Sequence, residues 1–539
     1  MTDMHQPAVA VPTSPLFART DLVPSKGRLA VVNTRLTPAE ATAEDLLFLR
    51  GVLDAASIDF LLVRGDDNRP VIAVDRRQRK ALRAALAVAC AEEPFYAKPA
   101  DGSDGATVLL ADGRLAAEKG VRAFVLFRPR ITLDGALRYG ARFGVRVELW
   151  DYEPELITAP SPNSLMRMVL PRTEAVEDTV ELHGLSWPTL KGMFDPQARD
   201  IDFDVDIVFS WVDGAAIEWQ RARARRMESY VVGEGDDSQA RFRQLDELKY
   251  ALRSVYLFAP WVRNVYIVTD SPRPSWLTDH PRITIVPSED FFSDPSVLPT
   301  HNSHAVESQL RNIPGLSEHF LYSNDDMFFG RPVDPELFFS PGGVTKFIEA
   351  DIRIGMGESN LERSGFENAA RVNRRLLKER FGRTITRHLE HAAVPLRRSV
   401  LEDLEAEFPE EFARTQASTF RAATDISVTN SLYHYYAWLT GRAVRQTDAR
   451  VRYVDTTMRS GLTDMKKLLS RRNVDMFCLN DGSFPELTME ERAVAVRSFL
   501  ESYFPIAAPW ETAESRAETD ASATERLAGG IEWNAGQGR

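Results

Sequence analysis

The chain has 539 residues, which is too long for one ordinary domain and predicts two domains or one α/β domain with large insertions. Its 44% hydrophobic and 27% charged residues are typical of a globular protein, and no apolar run approaches the roughly 18–20 residues that cross a bilayer. The net charge of −12 disfavours nonspecific nucleic-acid binding. Two cysteines, Cys90 and Cys478, are too few for a disulfide framework or a cysteine-ligated zinc site.

The first predicted elements form a small α/β domain over residues 28–155. Residues 1–27 mix Pro, Ala, Ser and Thr without periodicity and predict a disordered arm. This arm lacks the basic and apolar regions of a secretory signal, so we expect a cytoplasmic protein. Alternating patterns then predict helices at 38–53 and 78–91, and strands at 58–63, 71–74, 123–127 and 145–150. We assign no chemistry to this domain.

A second, larger domain is predicted over residues 201–507. A Pro-rich stretch within 156–200 indicates a linker between the two domains. An Arg- and Glu-rich segment, about 355–445, predicts a helical insert in the second domain. The polar and acidic residues 508–539 predict a disordered tail, because no apolar face supports docking of a helix there.

Three short apolar runs in the second domain end at polar and acidic residues. Continuous apolar runs are typical of strands buried on both faces of a parallel sheet. Ligands of open α/β sheets bind beyond the carboxyl ends of such strands, where the strand order reverses. We therefore expect one crevice lined by three strand ends, which are 205–211 with Asp213 and Gly214, 264–269 with Asp270, and 320–322 with Asn324, Asp325 and Asp326.

The adjacent carboxylates of Asp325 and Asp326 predict a metal site. A single Asp at a strand end more often caps the next turn than binds a ligand. Two adjacent ionised carboxylates repel each other, however, unless a cation neutralises them. Mg²⁺ commonly combines one or two carboxylates with phosphate oxygens, so the pair predicts Mg²⁺ or Mn²⁺ together with a nucleoside diphosphate substrate.

Basic residues near this crevice could recognise phosphate. The apolar spacing over 241–262 predicts a helix that carries Arg241, Arg243 and Arg253. Arginines on a helix are most often solvated charges, but guanidinium groups beside a carboxylate-lined crevice suit a phosphate ligand. His391 and Arg421 lie in the helical insert, and their spacing alone does not distinguish a catalytic role from a structural one.

Four segments of the second domain resemble the shared blocks of the Stealth family, in the family's order. They are 206–214 (DIVFSWVDG), 241–277, 301–339 and 465–482. That family comprises bacterial capsular and exopolysaccharide phosphotransferases and the catalytic subunit of the animal N-acetylglucosamine-1-phosphotransferase. The resemblance implies a GT-A-like, Rossmann-like nucleotide-sugar domain. It also implies metal-dependent transfer of a sugar 1-phosphate from a nucleoside diphosphate sugar, such as a UDP-hexose or UDP-N-acetylhexosamine, to a hydroxyl of a saccharide or polysaccharide acceptor.

The resemblance also implies roles for individual residues. Asp325 and Asp326 would bind the metal. The general base is left open between Asp326 and His391, with Asp326 favoured as base and His391 as phosphate stabiliser. His301 and Leu245 depart from the family pattern, which bears on acceptor preference. The implied catalytic residues are Asp326, His391, Arg421 and Glu307, and the implied substrate-binding residues are Asp213, Gly214, Arg241, Arg253, Asp270, Asn302 and Asn324.

Two other functions compete with this interpretation. One is a metal-dependent glycosyltransferase of the same fold, which would release a nucleoside diphosphate. The other is a non-catalytic module that binds a nucleotide sugar within a polymer-synthesis complex. The presence of Asn324, Asp325, Asp326, His391 and Arg421 favours an enzyme, because a binding module has less need for the whole set. We expect neither a nucleic-acid partner nor a transmembrane segment.

Overall fold

The computed structural model describes residues 15–67, 69–100, 105–117, 120–214, 245–482 and 485–528. Contacts divide the chain into an N-terminal unit, residues 1–197, and a C-terminal unit, residues 198–539. Among the helices of these described ranges, none has both the length and the apolar character needed to cross a membrane.

The N-terminal unit is an α/β unit. Helix α1 spans Pro38–Ala55 and begins with a capping box, in which Thr37 and Glu40 each accept a hydrogen bond from the other's backbone N–H. Helix α2 spans Arg79–Ala89. The strands are β1 Leu22–Ser25, β2 Arg28–Val32, β3 Phe60–Arg64, β4 Pro70–Asp75, β5 Tyr96–Pro99, β6 Val108–Leu109, β7 Ala123–Phe127, β8 Arg130–Ile131, β9 Arg138–Tyr139, β10 Val145–Tyr152, β11 Leu156–Thr158, β12 Val169–Pro171, β13 Glu177–Leu182 and β14 Leu185–Leu190.

Strand β10 is central to this unit, because it pairs parallel with β4 and antiparallel with β7. Buried apolar side chains of α1, α2 and these strands form one core, which includes Leu49, Leu86, Phe124, Leu149 and Trp187. The predicted α/β class is therefore confirmed for the N-terminal unit. The two predicted helices and four predicted strands all appear, with their ends shifted by a few residues at most.

Two predicted irregular segments of this unit are instead ordered. Within the predicted arm 1–27, residues 15–27 contain a 3₁₀ turn and strand β1, which pairs with β2. The predicted linker 156–200 contains β11–β14, and Trp187 of β14 is fully buried. Proline suggested a linker here, but the short strands place their prolines at edges and ends, where a missing N–H costs little.

The C-terminal unit contains the remaining elements. Its helices are α3 Glu247–Phe258, α4 Ser303–Gln309, α5 Gly365–Phe381, α6 Arg398–Glu407, α7 Pro409–Gln416, α8 Tyr433–Leu439, α9 Arg459–Arg471, α10 Met489–Tyr503 and α11 Ala513–Ala528. Its strands are β15 Val205–Ser210, β16 Val265–Val268, β17 Ile283–Val286, β18 His319–Asn324, β19 Met327–Phe329, β20 Thr345–Phe347, β21 Glu349–Arg353, β22 Arg387–Leu389, β23 Val394–Arg397, β24 Ala443–Arg445, β25 Val451–Asp455 and β26 Met476–Asn480.

The main sheet of this unit has the order β17-β16-β15-β18-β23. The first four strands are parallel, and β23 is antiparallel to β18. The three predicted apolar strands are β15, β16 and β18, and their central residues are buried, as parallel strands covered on both faces require. The chain passes from β15 outward to β17 and then returns to the other side of β15 as β18, so the strand order reverses between β15 and β18.

A three-stranded sheet, β19-β26-β25, continues from this reversal point. A two-residue turn, Asp325 and Asp326, joins β18 to β19. Strand β19 runs antiparallel to β26, and β25 runs parallel to β26. The carboxyl ends of β18, β25 and β26 therefore lie near the same turn.

The predicted helical insert, about 355–445, contains helices α5–α8 and a π-helical turn, Val428–Leu432. It also contains three strands, of which β23 completes the main sheet. The segment is therefore integrated into the core, and Leu377, Leu404 and Tyr433 are buried against residues of the main sheet.

The predicted disordered tail, 508–539, is wrong for residues 508–528. Trp510 and Glu511 are buried, and helix α11 follows them. The Arg253 guanidinium donates to both carboxylate oxygens of Glu511 at 2.7 Å and to the Phe504 carbonyl at 2.9 Å. Both side chains are almost completely buried. The tail is thus held by an ion pair that a hydrophobic pattern does not reveal.

We expect Glu511→Ala to destabilise the C-terminal unit by about 3–5 kcal/mol, because it leaves the Arg253 cation buried and unpaired. The measurement is the free energy of unfolding from urea titration. The control is Glu514→Ala on the exposed face of α11, which should change stability by less than ~0.5 kcal/mol. Equal stability of the two variants would contradict a structural role for the ion pair.

Candidate active site

The candidate active site begins at the carboxyl edge of the main sheet. Ser210 at the end of β15 pairs in register with Asn324 at the end of β18. Asp213 and Gly214 follow β15, and the Asp213 amide donates to the Ser271 hydroxyl at 2.9 Å. Ser271 directly follows Asp270 beyond β16. The three polar strand ends therefore meet at one edge, where the strand order reverses.

Asp270 holds the loop beyond β16. Its two carboxylate oxygens accept from the Ser288 amide at 2.7 Å and the Ser288 hydroxyl at 2.8 Å. This is the capping geometry that a single Asp at a strand end most often adopts. We therefore interpret Asp270 as a residue that positions the loop at Ser288. The sequence predicted a substrate contact for it instead.

Four carboxylates converge at the turn between β18 and β19. Asp325 and Asp326 form the turn, Asp481 follows the end of β26, and Glu247 opens helix α3. Burial and the negative charges of Asp326, Glu247 and Asp481 hold the pKa of Asp325 well above its usual range. Burial also raises the pKa of Glu247 to about 7. Burial is the largest cause of both shifts, and the neighbouring carboxylates add to the shift at Asp325.

The oxygen-rich character of this cluster fits a hard divalent cation such as Mg²⁺ or Mn²⁺. In the described part of the chain, no group of three or more His, Cys, Asp or Glu side chains is placed so that it could hold a metal ion by itself. A complete cage is not required, because Mg²⁺ is commonly held by one or two carboxylates plus water and substrate phosphate oxygens. Asp325 and Asp326 are the residues that could hold it.

Two further side chains constrain the acidic cluster. The buried Cys478 thiol lies 3.4 Å from Oδ2 of Asp326 and donates to it. Burial and the Asp326 carboxylate raise the pKa of this thiol, so it stays protonated. Arg492 forms an ion pair with Asp481 and donates to the Thr456 hydroxyl at 2.8 Å. Sequence reasoning missed Glu247, Cys478 and Arg492, because none of them follows the end of an apolar run. It also missed Asp481, although this residue directly follows the apolar strand β26 and so carries the same strand-end pattern as Asp270.

A second set of site residues lies on helix α4 and the loop before the π-helical turn. Asn302 caps α4, and its side-chain amide donates to Asp425 at 2.8 Å. Arg421 donates to the Ser303 hydroxyl at 2.8 Å. The Thr429 hydroxyl donates to Glu307 at 2.7 Å, and burial raises the pKa of Glu307 to about 6. Asn302 and Ser303 thus tie the Arg421 loop to the beginning of α4.

Tyr322 on β18 connects the two sets. Its side chain is buried, and burial raises the pKa of its hydroxyl well above the usual value. The charges that act on it are those of Glu307, Arg421 and Asp325. Because one buried side chain lies within electrostatic reach of all three, we interpret the acidic cluster and the Arg421 loop as neighbouring parts of one site, which we call the cleft.

His391 lies on the side of the acidic cluster. Its ring makes an edge contact with Tyr453 of β25, with ring centroids 5.2 Å apart. Tyr453 in turn lies within electrostatic reach of Asp326, which contributes to raising the pKa of the phenol to about 12, mainly through burial. Burial lowers the pKa of His391, which favours the neutral imidazole. A phosphate-stabilising cation at His391 is therefore less favoured than the sequence suggested.

The structure does not bring Arg253 to this cleft, because its guanidinium is buried against Glu511 and the Phe504 carbonyl. We therefore interpret Arg253 as a structural residue in place of the predicted substrate contact. Arg241 and Arg243 lie outside the described residues.

Fold and cleft together define an α/β protein with an acidic cluster and an arginine at the reversal point of a parallel sheet. The sequence matches three regions conserved in Stealth proteins, which are region CR2 over residues 241–347, region CR3 over 390–437 and region CR4 over 466–521. The four turn and cluster carboxylates, Glu307, His391 and Arg421 all fall within these regions. The chain belongs to the Stealth family.

Several curated relatives are similar along most of the chain. "Exopolysaccharide phosphotransferase CpsY" of Mycobacterium leprae is 60% identical over 490 residues, which cover 91% of this chain and 90% of the relative. The protein of the same name from Mycobacterium tuberculosis H37Rv is also 60% identical, with 91% and 92% covered. "Exopolysaccharide phosphotransferase" of Nocardia farcinica is 54% identical over 476 residues, with 88% of each chain covered.

The side chain of Arg421 packs against Gly365, so its position depends on the small size of this glycine. A Cβ atom at Gly365 would lie 2.7 Å from Cδ and 2.8 Å from Cβ of Arg421, so any larger residue must displace that side chain. We expect Gly365→Ala to lower kcat/KM by about 10- to 100-fold through this displacement.

The control is Gly51→Ala in helix α1, where a Cβ atom meets no neighbour within 4 Å. It should leave activity unchanged. In an Arg421→Ala background, Gly365→Ala should add little further loss, because the residue through which it acts is already gone. Additive losses in the double variant would contradict this mechanism.

Proposed function

We propose that the C-terminal unit transfers a sugar 1-phosphate from a nucleoside diphosphate sugar to a hydroxyl of a saccharide acceptor in exopolysaccharide synthesis. The carrying observation is that the Asp325–Asp326 turn ends a buried parallel strand where the strand order reverses, in the same unit as Arg421, which Ser303 orients. Family membership and the names of the relatives support a phosphotransferase. We propose that the donor diphosphate binds between a cation held by Asp325 and Asp326 and the guanidinium group of Arg421.

In the proposed reaction, the acceptor oxygen attacks the β-phosphorus of the donor. The bond between this phosphorus and the bridging oxygen breaks, and the nucleoside monophosphate leaves with the electron pair of that bond. The sugar keeps its bond to the phosphate, so its anomeric configuration is retained. A divalent cation held by Asp325 and Asp326 would screen the charge of the diphosphate.

The chain's own residues supply the other parts. Arg421 can stabilise the developing negative charge on the transferred phosphate, because its planar guanidinium forms paired hydrogen bonds to phosphate oxygens. The Ser303 hydroxyl accepts from Arg421, which fixes the direction of that guanidinium. His391 in its neutral form can accept the acceptor's proton, and Asp326 remains the rival base.

Product analysis tests this proposal against the two competing functions. The protein is incubated with a panel of nucleotide sugars, Mg²⁺ and a saccharide acceptor. Release of a nucleoside monophosphate together with a phosphodiester-linked sugar supports the phosphotransferase. Release of a nucleoside diphosphate with a glycoside would support a glycosyltransferase, and binding without turnover would support a non-catalytic module.

The metal role of the turn gives a further prediction. We expect EDTA to abolish turnover and added Mg²⁺ or Mn²⁺ to restore it. Asp325→Asn and Asp326→Asn should each lower kcat by at least about 100-fold, because each removes charge where the diphosphate is screened. Asp448→Asn, at an exposed loop position, is the control and should be unaffected. Full activity in EDTA would remove the metal from the mechanism.

The pH profile distinguishes the two roles of His391. A general base must be neutral, and burial lowers the pKa of this imidazole, so kcat/KM should be flat near pH 7 and fall only below about pH 6.5. A cationic stabiliser would show the opposite trend, with activity rising in acid.

His391→Gln should lower kcat/KM and remove the acidic fall that belongs to this histidine. Glu307, with a pKa of about 6, could produce a similar fall, and its contribution persists in the His391 variant. Near-wild-type rates of His391→Gln at every pH would show that His391 is structural.

A further inference from the structure

Helix α4 and the π-helical turn Val428–Leu432 share a hydrogen-bonded cluster of buried polar side chains. Glu307 of α4 is 3% exposed, and Thr429 of the turn and His434 of α8 are fully buried. The Thr429 hydroxyl donates to Oε2 of Glu307 at 2.7 Å, and Nε2 of His434 lies 2.9 Å from the Thr429 carbonyl. Because a carbonyl only accepts, Nε2 carries the proton of the neutral ring. Burying polar groups costs free energy, so a cluster of this kind is a candidate for positioning a functional group.

Asn373 fixes the turn from the neighbouring helix α5. Its side chain is fully buried, and its amide donates to the Ser427 carbonyl at 2.8 Å and to the Ser431 hydroxyl at 2.6 Å. These two contacts lie on either side of Thr429 in the sequence. π-helical turns are rare and often lie at functional sites. The turn therefore holds the Thr429 side chain in a fixed place beside helix α4.

Glu307 is linked in turn to Arg421 through Ser303. Arg421 donates to the Ser303 hydroxyl at 2.8 Å, and this hydroxyl also hydrogen-bonds to the Glu307 carboxylate one helical turn further along α4. A hydroxyl that accepts from a guanidinium still has its own proton to donate. The charge of Arg421 also lies within electrostatic reach of Glu307. A continuous path of hydrogen bonds thus connects Thr429 to Arg421 through the two side chains of α4.

We propose that Thr429 is a positioning residue, which holds the ionised carboxylate of Glu307. Through Ser303, this carboxylate orients the Arg421 guanidinium toward a bound diphosphate. The inference rests on the proposed function only where that function assigns phosphate binding to Arg421. An ionised carboxylate accepts the Ser303 proton, whereas a protonated one can donate and so reverse this hydrogen bond. Loss of the Thr429 hydroxyl should therefore weaken diphosphate binding in a way that depends on pH.

The sign of this pH dependence follows from the hydrogen bond that is lost. Burial raises the pKa of Glu307 to about 6, while the hydrogen bond from Thr429 favours the ionised carboxylate and lowers that pKa. Without the hydroxyl, the pKa of Glu307 should rise further. The carboxylate would then be protonated up to a higher pH, so diphosphate binding should be lost at a higher pH than in the wild type.

Other titratable groups near Glu307 should not move with this substitution, because the Thr429 hydroxyl donates to Glu307. Burial keeps the Tyr322 phenol neutral and lowers the pKa of His434 to about 3, so neither group titrates near pH 6. Helix α7 also packs on α4, and its buried residues Phe412, Thr415 and Gln416 do not titrate. The titratable groups that surround Glu307 are Arg421 and Asp425 of the loop before the turn, Tyr322 of β18, His304 of α4, His434 of α8, and Arg311, which pairs with Glu405.

Calorimetric binding of inorganic pyrophosphate with Mg²⁺ to the full chain, between about pH 5 and 8, tests the proposal. Thr429→Val keeps the shape of the side chain and removes its hydroxyl. We expect it to weaken pyrophosphate binding about three- to tenfold at pH 7 and to move the acid loss of binding upward by about one pH unit. Thr429→Ser retains the hydroxyl and should bind as the wild type does. Pyrophosphate itself titrates identically in every experiment, so differences between variants report the protein.

The matched control is Thr189→Val in the N-terminal unit, where a buried Thr hydroxyl also donates one hydrogen bond at 2.7 Å, to the Leu62 carbonyl. It should leave pyrophosphate binding unchanged, and urea titration checks that both valine variants are folded. Ser303→Ala interrupts the same path at its next link and should weaken binding to a similar extent. This variant tests the proposal even where the buried valine prevents folding. In an Arg421→Ala background, Thr429→Val should have no further effect on binding.

Equal pyrophosphate binding by the wild type and Thr429→Val at every pH would overturn the proposal, and so would unchanged binding by Ser303→Ala. An equal change in Thr189→Val, a further loss in the Arg421→Ala background, or a wild type that does not bind pyrophosphate would also overturn it. The proposed function fails by a different result, which is product analysis without a nucleoside monophosphate while the differences in pyrophosphate binding remain.

Discussion

Asp325 and Asp326 occupy the turn on which the arrangement of the C-terminal unit depends. This turn ends β18 of the parallel sheet and begins β19 of the three-stranded sheet. Since β19 runs antiparallel to β26, the turn must lie beside the end of β26, and the Leu479 amide donates to the Asp326 carbonyl at 3.0 Å. The same backbone pairing that joins the two sheets therefore brings Asp481 toward the turn carboxylates, where burial and, to a lesser extent, their mutual repulsion raise the pKa of Asp325.

Two other clusters of buried charge in the described residues are balanced. In the N-terminal unit, Arg130 donates to Asp45 at 2.7 Å and Arg128 donates to the same carboxylate at 3.1 Å. In the C-terminal unit, Arg253 and Glu511 form a complete pair. Buried charges of this kind contribute to one specific packing because each partner satisfies the other. At the turn, Arg492 pairs with Asp481, while burial and the neighbouring carboxylates raise the pKa of Asp325. A strongly shifted pKa at the reversal point of a parallel sheet is typical of a functional site.

The opposite wall of the cleft shows how small residues contribute to such a site. Arg421 keeps its place because Gly365 has no side chain to displace it and because Ser303 accepts its hydrogen bond. Asn302 ties the same loop to helix α4 through Asp425. The position of one guanidinium group thus depends on three segments that are separated by many residues in the sequence. Motif matching identifies Arg421 but not the glycine that makes room for it.

The sequence by itself determined the α/β class, the parallel strands β15, β16 and β18, and the polar strand ends at Asp213, Asp270 and Asn324. It did so because strand burial and strand-end polarity are local patterns, readable from neighbouring residues. It also indicated the family, since the conserved blocks are contiguous segments.

Only the tertiary structure decided how each of these charges is engaged. Arg253 and Asp270 carry the residue types expected of a binding site, yet the fold engages them with Glu511 and Ser288. Glu247 and Cys478 carry no strand-end pattern. Asp481 does follow an apolar strand, as Asp270 does, but only the fold shows that all three lie near the turn at Asp325. The physical reason is that the pairing and the pKa of a charged side chain depend on its neighbours and its burial. These neighbours come from segments up to about half the chain apart. Only the paired strands and packed helices bring such segments together.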